Sequence, residues 1–368
     1  MLTVVGVVLD AEGPTPGYVT LDDQGHVVER GQMGAQGKPS HPLVHGIVLP
    51  SAVNGHTHLG DAVWRREPPS GPLADIVAPP RGLKHRLLTS TPREAKVGAM
   101  HEALALMQAS GTAATLDFRE EGIDGVRMLQ EAAQGKVTVP TILGRPRNGT
   151  DPEELAEVLD LAAGLGLSGL RDLDPSVASA MAGEARRRGK LLAVHAFEDA
   201  PEPLDALLDL KPSLVIHLCH ATAADLERIA DARMTAAFCP RSNALFGRRP
   251  PLAQASRLGI PFLLGTDNAM FNAPDLFREM EFAYLSSRHH GEAVSAEALV
   301  RSVFVTPWNL LGKPSMASLQ PGSPASALVL RLPTDDPYYQ VCARGSASRR
   351  VLPEGGRHSP EPFYAQPV

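Results

Sequence analysis

The chain has 368 residues, of which 35 are Lys or Arg and 41 are Asp or Glu, and its formal net charge is −6 at pH 7. This length suits one large domain or two modest ones, and a content of 43% hydrophobic residues is ordinary for a globular protein. The longest Lys/Arg run is Arg186-Arg187-Arg188. A nucleic-acid-binding or anionic-membrane-binding surface is therefore not expected, because both need a concentrated basic face.

Cysteine use and the N-terminus both predict a cytoplasmic protein. The three cysteines, Cys219, Cys239 and Cys342, are too few and too scattered for a disulfide framework, and no CxxC pair indicates a thiolate metal site. The N-terminal run MLTVVGVVLD lacks the basic flank and cleavage site of a signal peptide. No segment reaches the roughly 18 apolar residues that a membrane span needs.

The first fifty residues predict a small β-module. LTVVGVVLD is strand-like, and GYVTLDDQGHVVERG has two alternating arms around an Asp-Gln-Gly turn, which indicates a hairpin. Strand-like text returns near the C-terminus at ASALVLRL and YYQVCARG. We expect these C-terminal strands to complete the module.

From His45 onward, short apolar strands alternate with helix-period segments, a pattern typical of a parallel α/β fold. Eight candidate strands end near residues 58, 118, 144, 170, 195, 217, 239 and 267. From the second strand onward these ends are 22–28 residues apart, which is the length of one strand, one helix and two short loops. Eight such units predict a (β/α)8 barrel. The expected division is a barrel at residues 47–319 and a small β-sandwich domain from residues 1–46 and 320–368.

Proline and glycine punctuate the helices. Thr91-Pro92 and Asp151-Pro152 begin two helices, which Gly111 and Gly164 are expected to end. Two further helical segments are predicted at residues 275–288 and 295–311. The Pro- and Gly-rich insertion between His58 and Thr91 is a candidate lid over the barrel mouth.

Polar side chains end several of the predicted strands, where the reactive groups of such barrels lie. His56 and His58 are two residues apart, so both imidazoles point to the same face of a strand. His195, His217 and Asp267 end other strands of the same rim. The neutral imidazoles of His56, His58 and His195, together with the Asp267 carboxylate, suit a Zn²⁺ or Fe²⁺ ion.

The ordered set of motifs resembles the amidohydrolase superfamily, and within it the branch of cytosine, guanine and S-adenosylhomocysteine deaminases and triazine hydrolases. The motifs are His-x-His at 56–58, His-x-x-Glu at 195–198, His217, Gly-Thr-Asp-Asn at 265–268, and the runs at 50–58 and 239–243. The resemblance covers residues 1 to about 330 and implies a homodimer.

The resemblance also implies a role for each site residue. His56, His58, His195 and Asp267 are expected to ligate one divalent metal, zinc first and iron as the alternative. Glu198 is expected to move a proton from the attacking water to a ring nitrogen. His217 is expected to bond the attacking oxygen, and Asp267 to carry a proton to the leaving ammonia. The predicted fourth strand ends without the lysine that bridges two metals in other members, which favours a single metal.

Two questions stay open from the sequence. His217 and His220 compete for the strand-six role, and the spacing to Cys239-Pro240 favours His217. Substrate contacts are less readable, and inward-facing arginines would favour an anionic substrate group. The candidate substrate-binding residues are Trp64, His85, Arg145, His220 and Arg241. Further charged residues in the insertion or after the predicted strands are Lys84, Arg86, Arg119, Glu120, Arg147 and Arg171.

The predicted function is a metal-dependent hydrolytic deaminase that acts on an exocyclic amino group of a small N-heterocycle, such as a nucleobase, nucleoside or pterin. The alternative within enzymes is hydrolysis of another C–N or C–halogen bond by the same site. A minor alternative is a degenerate barrel that binds a metal or ligand without catalysis.

Overall fold

Two separate sheets organise the chain. The computed structural model describes residues 1–32, 43–65, 71–79, 81–347 and 350–351. The smaller sheet has six strands in the order β15-β14-β4-β1-β2-β3. These are β1 (Leu2–Asp10), β2 (Gly13–Leu21), β3 (Val27–Gly31), β4 (Leu43–Pro50), β14 (Ala327–Leu330) and β15 (Arg350–Val351).

The smaller sheet joins both ends of the chain, as expected. Strand β1 pairs antiparallel with β2 and parallel with β4, and β14 pairs antiparallel with β4. The turn after β2 is the predicted Asp-Gln-Gly hairpin, in which the Asp22 carboxylate accepts backbone hydrogen bonds from Gln24 and His26. Residues 33–42, 348–349 and 352–368 of the expected small domain lie outside the described residues.

The larger sheet is the predicted parallel barrel. Its order is β12-β11-β10-β9-β8-β7-β6-β5-β13, and β13 pairs parallel with β5 to close the ring. The strands are β5 (Ala52–His58), β6 (Thr112–Arg119), β7 (Val139–Gly144), β8 (Gly164–Leu167), β9 (Leu191–Ala196), β10 (Leu214–His217), β11 (Thr235–Phe238), β12 (Phe262–Leu264) and β13 (Asp267–Asn268).

Helices surround the barrel and follow most of its strands. They are α1 (Leu73–Val77), α2 (Leu83–Ser90), α3 (Arg93–Ala109), α4 (Gly122–Ala132), α5 (Pro152–Leu161), α6 (Pro175–Arg187), α7 (Leu204–Leu210), α8 (Ala223–Asp231), α9 (Pro240–Leu245), α10 (Leu252–Arg257), α11 (Leu276–His289), α12 (Ala296–Phe304), α13 (Thr306–Leu310) and α14 (Pro337–Arg344). No helix in the described part of the chain is long and apolar enough to cross a membrane.

Local sequence explains where several helices begin and where one of them ends. The Asp151 carboxylate accepts hydrogen bonds from the backbone N–H groups of Glu153 and Glu154, and Pro152 occupies the first turn of α5. Thr222 and Asp225 form a reciprocal capping box at α8. Gly111 follows α3 with a φ of +83°, a conformation that glycine adopts without steric cost.

The prediction of a strand at YYQVCARG was wrong, because this segment is the helix α14. Asp336 accepts a hydrogen bond from the backbone N–H of Tyr339, and Pro337 occupies the first turn. Gln340, Val341 and Cys342 are buried, and α14 packs on α11 and α12. The Asp-Pro start signal that predicts α5 is also present here.

Gly164 does not end α5, contrary to expectation. The helix stops at Leu161, and Gly164 is the first residue of β8. A Cβ atom at this position would lie 2.1 Å from the Leu191 carbonyl oxygen. The glycine therefore permits β9 to approach β8 closely and is not a helix cap.

A hydrogen bond from a buried tryptophan secures the start of the barrel. Trp308 on α13 is 3% exposed, and its Nε1–H donates to the Ser51 carbonyl oxygen at 3.1 Å. The Ser51 hydroxyl donates in turn to the Ser326 carbonyl oxygen at 2.8 Å, just before β14. These two bonds connect the barrel wall with the smaller sheet.

We expect Trp308→Phe to lower the free energy of unfolding by about 1–3 kcal/mol, because the buried Ser51 carbonyl loses its donor. The matched control is Trp64→Phe. The Trp64 Nε1–H donates to the half-buried Thr91 hydroxyl at 3.1 Å, where water can replace it, so a smaller loss is expected. Denaturant unfolding followed by circular dichroism measures both, and equal losses would contradict the assignment.

Candidate metal centre and active site

Residues from strand ends far apart in the sequence meet at one mouth of the barrel. His56 and His58 end β5, His195 lies on β9, His217 ends β10, and Asp267 begins β13. Potential ligand atoms of His56, His58 and His195 lie within 4.8 Å of one another, as do those of His56, His217 and Asp267. Strand ends of a closed barrel converge in this way because all parallel strands point to one face.

The closest contacts define a compact set of donor atoms. His56 Nε2 lies 3.2 Å from Asp267 Oδ1, and His58 Nε2 lies 3.7 Å from the same oxygen. His58 Nε2 lies 3.3 Å from His195 Nε2. The buried Nδ1 of His56 has no hydrogen-bond partner among the described residues, and its Nε2 faces the Asp267 carboxylate. Because buried polar atoms are normally satisfied, this set fits a divalent metal ion.

Burial keeps the three imidazoles in the form that binds a metal. Burial lowers the pKa of His56 and His58, the latter to about 3, and lowers the pKa of His195 well below its ordinary value. A neutral imidazole has a free lone pair, which a protonated one lacks. The site is thus preorganised for a cation.

Hydrogen bonds to Nδ1 orient two of the rings. The His195 Nδ1–H donates to the Leu167 carbonyl oxygen at 2.8 Å. The His58 Nδ1–H donates to the Glu120 carboxylate at 2.8 Å. In both rings Nε2 then faces the other donor atoms, the arrangement in which a second group sets the tautomer of a ligand.

The chain after β11 supports the other side of the site. The Ser242 hydroxyl donates to Asp267 Oδ2 at 2.5 Å, and Asp267 itself has a φ of +59°. His217 also has a positive φ, of 77°. Such conformations are uncommon outside glycine and concentrate at functional sites, where the surrounding structure holds them in place.

His217 faces Glu198 with one ring nitrogen, and a hydrogen bond to its other ring nitrogen fixes its tautomer. The Asn243 side-chain amide donates to His217 Nδ1 at 3.1 Å, so the ring proton lies on Nε2. His217 Nε2 lies 3.4 Å from Glu198 Oε1. Burial raises the pKa of Glu198 above its ordinary value. His220, by contrast, is exposed after the turn that follows β10.

A cavity of about 300 Å³ opens beside these residues. The insertion between β5 and β6 supplies an apolar wall through Leu73, Val77 and Pro79. Phe246 and Phe271, whose ring centroids are 5.9 Å apart, form another part of the wall. The polar lining residues other than the expected metal ligands are Lys84, Glu120, Arg145, Ser168, Arg171, Asp172, Glu198, Asp199, Glu202, His217, Ser242 and Asn268. A volume at the small end of the usual range suits a compact ligand.

One of the five candidate substrate-binding residues lines this cavity. Arg145 does so, although its guanidinium also pairs with Glu120 at 3.2 Å. Trp64 and His85 bond to Thr91 and to the Val77 carbonyl oxygen. The Arg241 guanidinium pairs with the buried Glu279 and donates to the Ala273 carbonyl oxygen. Trp64, His85, His220 and Arg241 are not among the residues that line the cavity.

Sequence reasoning assigned no role to several supporting residues. Ser242 and Asn243 stand in the run Cys-Pro-Arg-Ser-Asn at 239–243, but the run does not show which side chain reaches which strand end. In the sequence, Lys84 and Glu120 stand only among the charged positions near the predicted barrel mouth. Burial alone would raise the pKa of Glu120, but Lys84, His58 and Arg119 lower it well below its ordinary value.

The donor set predicts about one zinc or iron ion per chain, since three imidazoles and one carboxylate are enough to ligate a single ion. We expect His195→Ala to lose the ion. The control His220→Ala removes an exposed imidazole of the same chemistry and should retain it. Elemental analysis of the purified proteins measures the ratio. Two ions per chain, or none after reloading, would contradict the site.

The amino-acid sequence is similar to a known family and to known proteins along most of its length. The model of the Amidohydrolase family matches residues 47–353. A protein of Methanothermobacter thermautotrophicus named "Putative aminohydrolase" is 32% identical over 326 residues, which are 83% of this chain and 84% of that protein.

Solved structures share the fold. An adenosine deaminase from Xanthomonas campestris with bound zinc superposes with a TM-score of 0.75 at 18% identity, covering 93% of this chain and 88% of that chain. An atrazine chlorohydrolase from Arthrobacter aurescens TC1 complexed with zinc gives 0.70 at 17% identity, covering 93% and 91%. With the family match over most of the chain, the protein belongs to the amidohydrolase family of hydrolases.

Proposed function

We propose that this protein is a hydrolytic deaminase that converts an exocyclic amino group of a small N-heterocycle to a carbonyl and releases ammonia. The observation that carries the proposal is the position of Glu198. Its carboxylate lies in the cavity 3.4 Å from His217 Nε2, beside the cluster of three imidazoles and Asp267. A carboxylate there can move protons between a water molecule and a heterocycle.

The residues fit one divalent metal, held by His56, His58, His195 and Asp267. Such an ion lowers the pKa of a water molecule toward 7. The same donors suit zinc and iron. Ser168 and Gly169 follow β8 where a bridging lysine would stand in a two-metal site. This supports a single-metal reaction.

The protein's own groups can then handle the protons. Glu198 takes a proton from the attacking water and passes it to a ring nitrogen of the substrate. Because burial raises its pKa, this carboxyl is suited to both taking and giving a proton nearer neutral pH. The His217 Nε2–H donates to the attacking oxygen. Asp267 takes the remaining proton of the attacking water and passes it to the amino group, which leaves as ammonia while the carbonyl forms.

The cavity favours an uncharged heterocycle over an anionic one at the Arg145 side. An apolar wall and the phenylalanine pair suit a flat ring. Arg145 is already paired with Glu120. Because Glu120 engages this guanidinium and the cavity lining also carries the acids Asp172, Asp199 and Glu202, a substrate carboxylate or phosphate gains little net attraction there.

The alternative functions, the location, the oligomeric state and the domain division still rest on the sequence alone. Opening of a cyclic amide or displacement of a ring halogen remains the alternative reaction, and the products separate it from deamination. A degenerate barrel is disfavoured because the four proposed ligands and Glu198 are all present. A cytoplasmic location, a homodimer and the division at residues 46/47 and 319/320 stay predictions.

We expect Glu198→Gln to keep its metal and to lose about 10²–10⁴-fold in turnover, because the amide cannot shuttle a proton. A screen of aminopurines, aminopyrimidines and aminopterins for ammonia release by the wild type supplies the assay. The control Glu227→Gln changes an exposed helix residue of the same type and should be as active as the wild type.

Retained activity in Glu198→Gln would remove the proton-shuttle role. A carboxylic acid or halide product from the wild type, in place of ammonia, would move the assignment to the alternative reaction. Elemental analysis of the same samples shows whether a loss of turnover is a loss of metal.

A further inference from the structure

A network of six buried charged side chains lies directly behind the metal ligand His58. It consists of three acids and three bases: Asp61, Asp117, Glu120, Lys84, Arg119 and Arg145. The least buried of the six side chains is Arg145, at 16% exposed. Unpaired buried charges are strongly destabilising, and each of these six groups lies within 3.3 Å of a group of the opposite type.

Glu120 is the centre of the network and is the group that touches the metal site. Its Oε1 accepts from His58 Nδ1 at 2.8 Å and pairs with Lys84 Nζ at 2.7 Å and Arg145 Nη2 at 3.2 Å. Its Oε2 accepts from Arg119 Nη2 at 2.6 Å. Three cations from three different parts of the chain thus hold one carboxylate against one imidazole.

Residues next to His58 contact the network through a backbone N–H group and make room for it at a glycine. Asp117 accepts from the Leu59 backbone N–H at 2.7 Å and from Arg119 Nη1 at 3.2 Å. A Cβ atom on Gly60 would lie 2.1 Å from Arg119 Nη2, so only glycine admits the guanidinium there. Lys84, on α2, also lies 3.3 Å from Asp61. The segment after His58 is thereby fixed to β6 and to α2.

We propose that Glu120 is a positioning residue for the metal ligand His58, and that Lys84 acts through Glu120 to hold it in place. The hydrogen bond keeps the His58 proton on Nδ1, so the lone pair of Nε2 points toward the other ligands. The inference rests on the metal site of the proposed function and deepens it.

The two supported ligands differ in kind. His195 donates to a neutral carbonyl, whereas His58 donates to a carboxylate. A carboxylate partner raises the basicity of the imidazole as well as orienting it. Since Lys84 belongs to the insertion between β5 and β6, metal affinity depends on a helix that also borders the cavity wall.

The test is the Zn²⁺ dissociation constant of the full-length protein, measured by competition with a chromophoric chelator. Glu120→Gln is expected to bind Zn²⁺ about 10–100-fold more weakly than the wild type. The control Glu131→Gln removes a carboxylate from the exposed pair with Arg93 and should bind as tightly as the wild type. Unchanged affinity in Glu120→Gln overturns the proposal.

A double variant separates positioning from charge imbalance. Glu120→Gln leaves three buried bases with two acids, whereas Lys84→Met with Glu120→Gln restores two of each and protects the fold, which thermal unfolding checks. If Glu120 positions His58, the double variant binds Zn²⁺ as weakly as Glu120→Gln alone. Recovery of wild-type affinity overturns the positioning role.

The same cycle tests Lys84. Lys84→Met alone should weaken Zn²⁺ binding when Glu120 is present and add nothing when Glu120 is Gln, because Lys84 acts through that carboxylate. Additive losses contradict this. The absorption bands of the Co²⁺-loaded protein should shift in Glu120→Gln and stay unchanged in Glu131→Gln.

Failure of this inference is distinguishable from failure of the proposed function. A wild type that binds no Zn²⁺ removes the metal centre itself. A wild type that binds Zn²⁺ together with a Glu120→Gln variant of equal affinity leaves the centre and removes only the positioning role.

Discussion

Closure of the barrel between β13 and β5 is the constraint on which the candidate site depends. The pairing places Asp267 beside Thr57 and Asn268 beside His58, although these residues are distant in the sequence. Gly265 makes the closure possible, because a Cβ atom there would lie 2.7 Å from both the backbone nitrogen and the Cβ of His56. Without this register, the carboxylate and the two imidazoles of β5 would not face one another.

Burial then gives the converged groups their chemical character. It keeps the imidazoles neutral and raises the pKa of Glu198, so the site combines free lone pairs with a carboxyl suited to proton transfer. Burial is costly for charges, and the balanced network around Glu120 offsets that cost behind His58. The same burial thus explains both the donor set and the ion pairs that support it.

The family match and the geometry answer different questions. The match over residues 47–353 establishes an amidohydrolase family member. The geometry adds which groups face the cavity. It also shows that the Arg145 guanidinium, a candidate contact for an anionic substrate group, already pairs with Glu120. The substrate is selected by the loops and by the insertion between β5 and β6, because the barrel does not determine their conformations.

The sequence by itself indicated the alternation of strands and helices in the barrel and the contribution of both ends of the chain to the smaller sheet, because periodicity is a local signal. Short motifs, which are local as well, carried the prediction of the ordered set His56, His58, His195, Glu198 and Asp267. Only the tertiary structure decided that Gly164 belongs to a strand and that residues 337–344 are helical. It also decided that His217 faces Glu198 while His220 is exposed. The physical reason is that pairing and burial join residues far apart in the chain, and local patterns do not record their partners.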